Sequence, residues 1–214
     1  MLRTADESGR AALERLFTLA EQAISWCERR GDGGLIPGRW FHLGHVQSER
    51  VGNEVLRLAA IAEDAYPIDL QVPFEGVDSI AGGVWSGSDL IGEGREDGFA
   101  KLRFAAGTLD LPMHVHEHSD RFIVVLEGEG YFHQSGETLE RFTGNEVSEI
   151  RVCPGDVLMF TRGLVHTFSA PDTTLVLLSY HRPLIELDDP QQYTIPTVTW
   201  RARCGRRPPA EVRA

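Results

Sequence analysis

Three histidines, His114, His116 and His118, fall on alternate residues in the segment LPMHVHEHSDRFIVVLEGEG, which spans positions 111–130. In a β-strand, residues i and i+2 project from the same face. His114 and His116 would then stand together, about 6–7 Å apart along the strand. Two imidazoles so placed can converge on one ion, and imidazole suits Zn, Cu, Fe and Ni. The competing reading of an isolated H-x-H is a pair of surface histidines. A further histidine, His166, follows in PGDVLMFTRGLVHTF, after a Gly155-Asp156 turn, a short apolar strand and an Arg162-Gly163 turn. Facing inward, His166 would complete a three-histidine site. Such a site leaves coordination positions open, for oxygen chemistry on iron or Lewis-acid chemistry on zinc or manganese.

The elements that must position these residues are short. From about residue 70 onward, runs such as FAKLRFAA, LPMHVH, FIVVLEG, GYFHQ, VSEIRV, DVLMF, HTFSA and TLVLLSYH alternate with Gly, Pro and Asp turns. That texture predicts an all-β sandwich or barrel. The N-terminal part differs. Residues 9–30 place Leu13, Leu16, Phe17, Ala20, Ile24 and Cys27 at helical spacing opposite a charged face. Residues 48–65 predict a second helix, ended by Tyr66-Pro67. LIPGRWFHLGH between them reads as a loop or short strand, with Trp40, His42 and His45 packing between the helices and the barrel. The division expected is a helical extension over 1–68, a β-barrel over 69–185, and a C-terminal extension over 186–214 ending in a mobile, arginine-rich tail.

The chain has 214 residues, of which 42% are hydrophobic and 25% charged, and a net charge of −11. This is an ordinary globular composition, long enough for a sizeable core. The acidity speaks against nucleic acid, whose phosphates need a basic surface, and against anionic membranes. Three widely spaced cysteines, Cys27, Cys153 and Cys204, form no disulfide framework and no CxxC pair. No apolar run reaches the roughly 18 residues of a membrane span. A reducing cytoplasm is the expected location.

The paired histidines, the turn glycines and the downstream histidine together resemble the two motifs of the cupin superfamily. In its first motif a glycine precedes H-x-H, and a glutamate and a closing glycine follow. Here His114-Val115-His116 is followed by Arg121 at the glutamate position and by Gly128. In its second motif a glycine, a proline-x-glycine turn, a histidine and an asparagine succeed one another. Here Gly155, Thr161-Arg162-Gly163, His166 and Ala170 occupy those places. Gly107 lies one residue too far upstream, and Thr161 and Ala170 replace proline and asparagine. The resemblance spans roughly residues 80–182. It implies a mainly β fold, a cupin-type antiparallel barrel (double-stranded β-helix, or jelly roll), to which the helical spacing above adds two N-terminal α-helices. It also implies one divalent transition metal (Fe, Mn, Zn or Ni) on His114, His116 and His166, a small-molecule ligand and a homodimer.

The fourth ligand is open, because Arg121 stands where the family has glutamate. Asp120 supplies the carboxylate in one reading. In a second, only the histidines bind, with water, His118 or substrate completing the shell. In a third, Arg121 points inward and the barrel has lost its metal. An inward Arg121 could also fork onto a substrate carboxylate, which makes an anionic ligand an expectation. His133, which could instead face solvent, and His181 are further candidates to line the pocket, as is Tyr180. The function expected is a metal-dependent enzyme acting on a small molecule, with oxygenase chemistry ahead of isomerase or lyase chemistry. A non-catalytic small-ligand sensor is the alternative.

Overall fold

The computed structural model describes residues 7–30, 38–42 and 71–202. The predicted second helix at 48–65, His45, and residues 203–214 of the tail lie outside the described residues. The elements run in the order α1 (Glu7–Arg30), β1 (Trp40–His42), β2 (Ile80–Ser86), a short α2 (Gly87–Leu90), β3 (Gly98–Phe104), β4 (Asp120–Glu127), β5 (Gly130–Ser135), β6 (Val147–Val152), β7 (Val157–Phe160), β8 (Val165–Ser169) and β9 (Leu175–Arg182). The strands form two antiparallel sheets. One has six strands in the order β1-β7-β4-β9-β3-β2, and the other has three in the order β6-β5-β8. This is a mainly β, jelly-roll arrangement.

Strand alternation divides the apolar residues between two cores. In β4, Ile123 and Val125 turn into the space between the sheets, whereas Phe122 and Val124 turn to the outer face. In β7, Leu158 and Phe160 face in, and Val157 and Met159 face out. The six-stranded sheet is therefore apolar on both faces, and something must cover the outer one. That cover is α1. Leu13, Leu16, Phe17, Ala20 and Ile24 are all buried against Phe99, Phe122, Val124, Met159 and Tyr180. Phe17 meets Phe99 and Tyr180 edge-on, with centroids 5.0 and 5.5 Å apart.

A polar clamp fixes this docking. Arg95 lies over the Phe17 ring and bonds Glu21 of α1 at 2.6 Å and Asp97 at 2.5 Å. The Tyr180 hydroxyl donates to the same Asp97 carboxylate at 2.6 Å. Burial alone would raise the Asp97 carboxyl, but these bonds outweigh it and hold it below its ordinary value. β1 adds an edge strand, with Trp40 opposite Phe160, and the Trp40 ring packs on Phe132. His42 contacts Asp156 at 2.8 Å.

The turn glycines are required by shape. Gly128, between β4 and β5, has φ +72°, and a Cβ there would sit 1.7 Å from the Thr174 carbonyl oxygen. Gly155, before β7, has φ +93°.

The segment holding the histidine pair is not a strand of its own. One isolated bridge, His114 to His166, joins it to β8 of the second sheet, and another, Val115 to Thr194, joins it to the C-terminal stretch. The C-terminal stretch up to residue 202 is also structured: it runs back across the barrel mouth and places Leu187, Gln192 and Tyr193 in its wall.

Candidate metal centre

His114 is held against β8 by two backbone bonds with His166, at 2.9 and 3.0 Å. This pairing puts the two imidazoles side by side, with centroids 4.6 Å apart. His116, two residues on, joins them at 5.1 Å from His114 and 5.3 Å from His166. One ring nitrogen from each falls within 4.8 Å of the other two.

The proton on each ring is assigned by its neighbours. His114 Nδ1 lies 3.0 Å from the Pro112 carbonyl oxygen, and His166 Nδ1 lies 2.9 Å from that of Leu164. His116 Nδ1 lies 2.5 Å from the Gln192 carbonyl oxygen. A carbonyl only accepts, so each Nδ1 carries the hydrogen and each Nε2 keeps its lone pair. For His116 there is a rival contact, because Arg121 Nη2 approaches the same Nδ1 at 3.1 Å. A guanidinium has no lone pair to offer, so both contacts cannot be hydrogen bonds of one tautomer. The carbonyl contact is the shorter, and Nη2 has a good acceptor elsewhere, in Gln192 Oε1 at 2.8 Å. Backbone carbonyls thus orient all three rings.

All three rings are neutral at ordinary pH. Burial pushes His114 down to about 4, helped by the nearby Arg121 charge. Burial and Arg121 hold His116 well below its ordinary value, and burial and His114 do the same for His166. Neutral imidazole is the form that binds metal. The donor set, the tautomers and the charge state therefore fit a divalent transition metal.

The triad lines a cavity of about 40 Å3, walled mostly by Phe74, Phe104, Ile123, Phe160, Phe168 and Leu177. Arg121 and His181 face this cavity from neighbouring positions on β4 and β9, where they pair in register. Arg121 is 1% exposed, and burial lowers it to about 9. Its Nη1 donates to Ser119 Oγ at 2.6 Å, and Ser119 in turn donates to the Pro183 carbonyl. His181 is held well below its ordinary value by burial and by Arg121.

Asp120 does not join the triad. Alternation along β4 sends Arg121 into the cavity and Asp120 the other way. The Asp120 carboxylate takes the Arg162 backbone N–H at 2.8 Å and the Arg162 guanidinium at 2.8 Å. His118 is exposed, outside the group.

His133 does not line the cavity either, nor does it face solvent. Phe132 points inward from β5, so His133 lies on the other face, bonded to Ser169 at 2.8 Å and covered by Trp200. Tyr180 points outward to Asp97. Gln192, Ser119, Ser179 and Tyr193 are cavity or supporting residues that no sequence motif marked. Gln192 and Tyr193 belong to the strap across the mouth, and no local pattern places them there.

Residues 100–180 match the family model described as Cupin domain. That segment carries β3 to β9 and all three histidines. Residues 100–180 thus form a cupin domain. Solved structures similar to the chain include an oxalate decarboxylase from Lactobacillus farciminis, in a formate complex. It is 14% identical, with 56% of this chain and 32% of that one covered and a TM-score of 0.43. An oxalate oxidase is 20% identical over 60% of this chain and 59% of that one, with a TM-score of 0.43. The capsular polysaccharide assembling protein CapF from Staphylococcus aureus is 15% identical over 62% of this chain and 35% of that one, with a TM-score of 0.46. The match thus spans about a third to three fifths of those chains. No curated protein matches the sequence. Among the described residues, no helix is long and apolar enough to cross a membrane.

Proposed function

We propose that this cupin barrel holds one divalent transition metal on His114, His116 and His166 and acts on a small molecule within the cavity, by dioxygenase-type chemistry. The carrying observation is the convergence of three neutral imidazoles whose Nδ1 hydrogens are all committed to backbone carbonyls. That leaves the Nε2 lone pair of each ring available to an ion, on three residues whose ligand atoms lie within 4.8 Å of one another. Held by these three nitrogen donors, an iron-type ion would keep coordination positions open and would supply oxygen chemistry to the cavity.

The protein's own part is positioning. The backbone carbonyls fix the imidazoles before any ion arrives, so little reorganisation is needed on binding. The apolar wall of the cavity excludes bulk water and strengthens each polar contact within it. Arg121, inward and buried, takes the place of a fourth protein ligand with a group that cannot ligate.

That substitution favours one second reading, a sensor that binds its ligand without turnover. Iron, zinc, manganese and nickel all suit the donor set, and zinc or manganese would turn the site to isomerase or lyase chemistry. A homodimer belongs to the same proposal, and sedimentation at micromolar concentration tests it. The activity itself is tested by oxygen uptake of the iron-loaded protein over a panel of small carboxylates, catechols and thiols. Uptake stoichiometric with one compound is expected. Ligand binding with no uptake for any of them would replace the enzyme with the sensor.

A further inference from the structure

Arg121 is a charge in an unusual place. Its guanidinium is 1% exposed and shares the cavity wall with four histidines, His114, His116, His166 and His181. Its hydrogen bonds run to two neutral acceptors, Ser119 Oγ at 2.6 Å and Gln192 Oε1 at 2.8 Å. The nearest carboxylate in sequence, Asp120, is taken up by the backbone and guanidinium of Arg162. A buried cation that is hydrogen-bonded but not neutralised is costly to keep. The cost falls once an anion enters beside it.

The cavity is suited to supply that place. Arg121 lines it, and on the adjoining strand so does His181, whose Nδ1 is buried without a hydrogen-bond partner among the described residues. A planar guanidinium matches a carboxylate better than it matches any neutral group, through paired N–H···O bonds. A neutral imidazole beside it adds one more donor. Size narrows the class further. A cavity of about 40 Å3 has room for roughly three water-sized groups. The surrounding phenylalanine, leucine and isoleucine side chains offer the remainder of a ligand no second charge to pair with.

We propose that Arg121 and His181 form an anion-binding wall of the cavity, and that its ligand is a short-chain carboxylate with one oxygen on this wall and the other turned to the histidine triad. The part concerning the triad rests on the metal reading above, whereas the anion wall does not. Ser119 and Gln192 act here as positioning residues, because they hold the guanidinium from behind and leave its remaining N–H groups for the ligand. The position at which a fourth metal ligand would be expected thus serves the substrate.

The test compares 13C-labelled acetate with acetamide, its neutral near-isostere, by chemical-shift titration. It is run on the metal-free protein and on the cobalt(II)-loaded protein, whose visible spectrum reports the histidine site independently. Formate and benzoate extend the series by size. The expected result is saturable acetate binding in both forms, at least tenfold weaker acetamide binding, and benzoate excluded. Arg121→Gln should weaken acetate at least tenfold while the cobalt spectrum without acetate persists. Equal binding of acetate and acetamide, or no binding of either, with cobalt still taken up, would overturn the anion wall and leave the metal reading standing. Acetate binding unchanged in Arg121→Gln would overturn it as well. If cobalt fails to bind while acetate still binds through Arg121, the anion wall stands and the metal reading falls. The acetate–acetamide comparison needs no variant, so it decides the matter even if Arg121→Gln does not fold.

Discussion

The two oxygens of Gln192 have separate duties, and one substitution separates them. Its backbone oxygen receives His116 Nδ1–H at 2.5 Å, and its side-chain Oε1 receives Arg121 Nη2 at 2.8 Å. Gln192→Ala deletes only the second. A hydrogen bond to a charged group contributes about 1.5–3 kcal/mol. Arg121 retains Ser119, and a water can enter the polar space left by the amide. The lower part of the range, about 1.5–2 kcal/mol, is therefore the expected loss of folding stability. For a domain of this size that corresponds to a fall in Tm of roughly 3–8 °C. Urea unfolding followed by tryptophan fluorescence supplies the free energy, and a cobalt(II) titration supplies metal stoichiometry. Stoichiometry should not change, because the carbonyl that fixes the His116 tautomer remains. In a double-mutant cycle with Arg121→Gln, the second substitution should cost less than it does alone. Loss of metal in Gln192→Ala would show that the side chain, and not the backbone, holds His116. An unchanged Tm with additive effects would show that the amide does not support the guanidinium.

Asp120→Asn should leave metal stoichiometry unchanged, whereas His114→Ala should abolish it; the same cobalt titration reads both, and metal loss in the Asn variant would restore Asp120 as a ligand. Phe17→Ala should cost about 3–5 kcal/mol by urea unfolding, because Phe17 is 1% exposed and seated between Phe99, Tyr180 and Arg95; a cost below 1 kcal/mol would mean that α1 is not docked on the outer sheet. Asp97 is held below its ordinary value of 3.8 by Arg95 and Tyr180, against the opposing effect of burial. Its contribution is therefore present above the unfolded carboxyl pKa and is lost as pH falls through the lowered folded value. Asp97→Asn should accordingly flatten the acid limb of the stability–pH curve below about pH 4, and an unchanged limb would contradict this.

The histidine triad was legible because its members sit in local patterns. H-x-H at strand spacing and His166 behind two glycine turns are signals that survive without tertiary information. The first helix was legible for the same reason: Leu13, Leu16, Phe17, Ala20 and Ile24 repeat at helical spacing and are all buried. Parity was harder. The expectation for Asp120 required knowing where β4 begins, since a shift of one residue exchanges the two faces of a strand. Asp120 opens the strand and pairs in register with Arg182, which sends Arg121 inward. His133 was misplaced by the same uncertainty. Gln192 carried no signal at all. It reaches the site through the strap, 76 residues from the His116 it orients. Contacts of that separation are set by packing and not by any spacing within the sequence.

The central claim is that His114, His116 and His166 hold a metal ion. It is tested most directly by elemental analysis of protein purified without a histidine tag, beside a His114→Ala/His166→Ala control. Close to one equivalent of a single transition metal is expected in the native chain and none in the control. No metal in the native chain, even after anaerobic reconstitution, would contradict it and make the barrel a metal-free binding site built around Arg121.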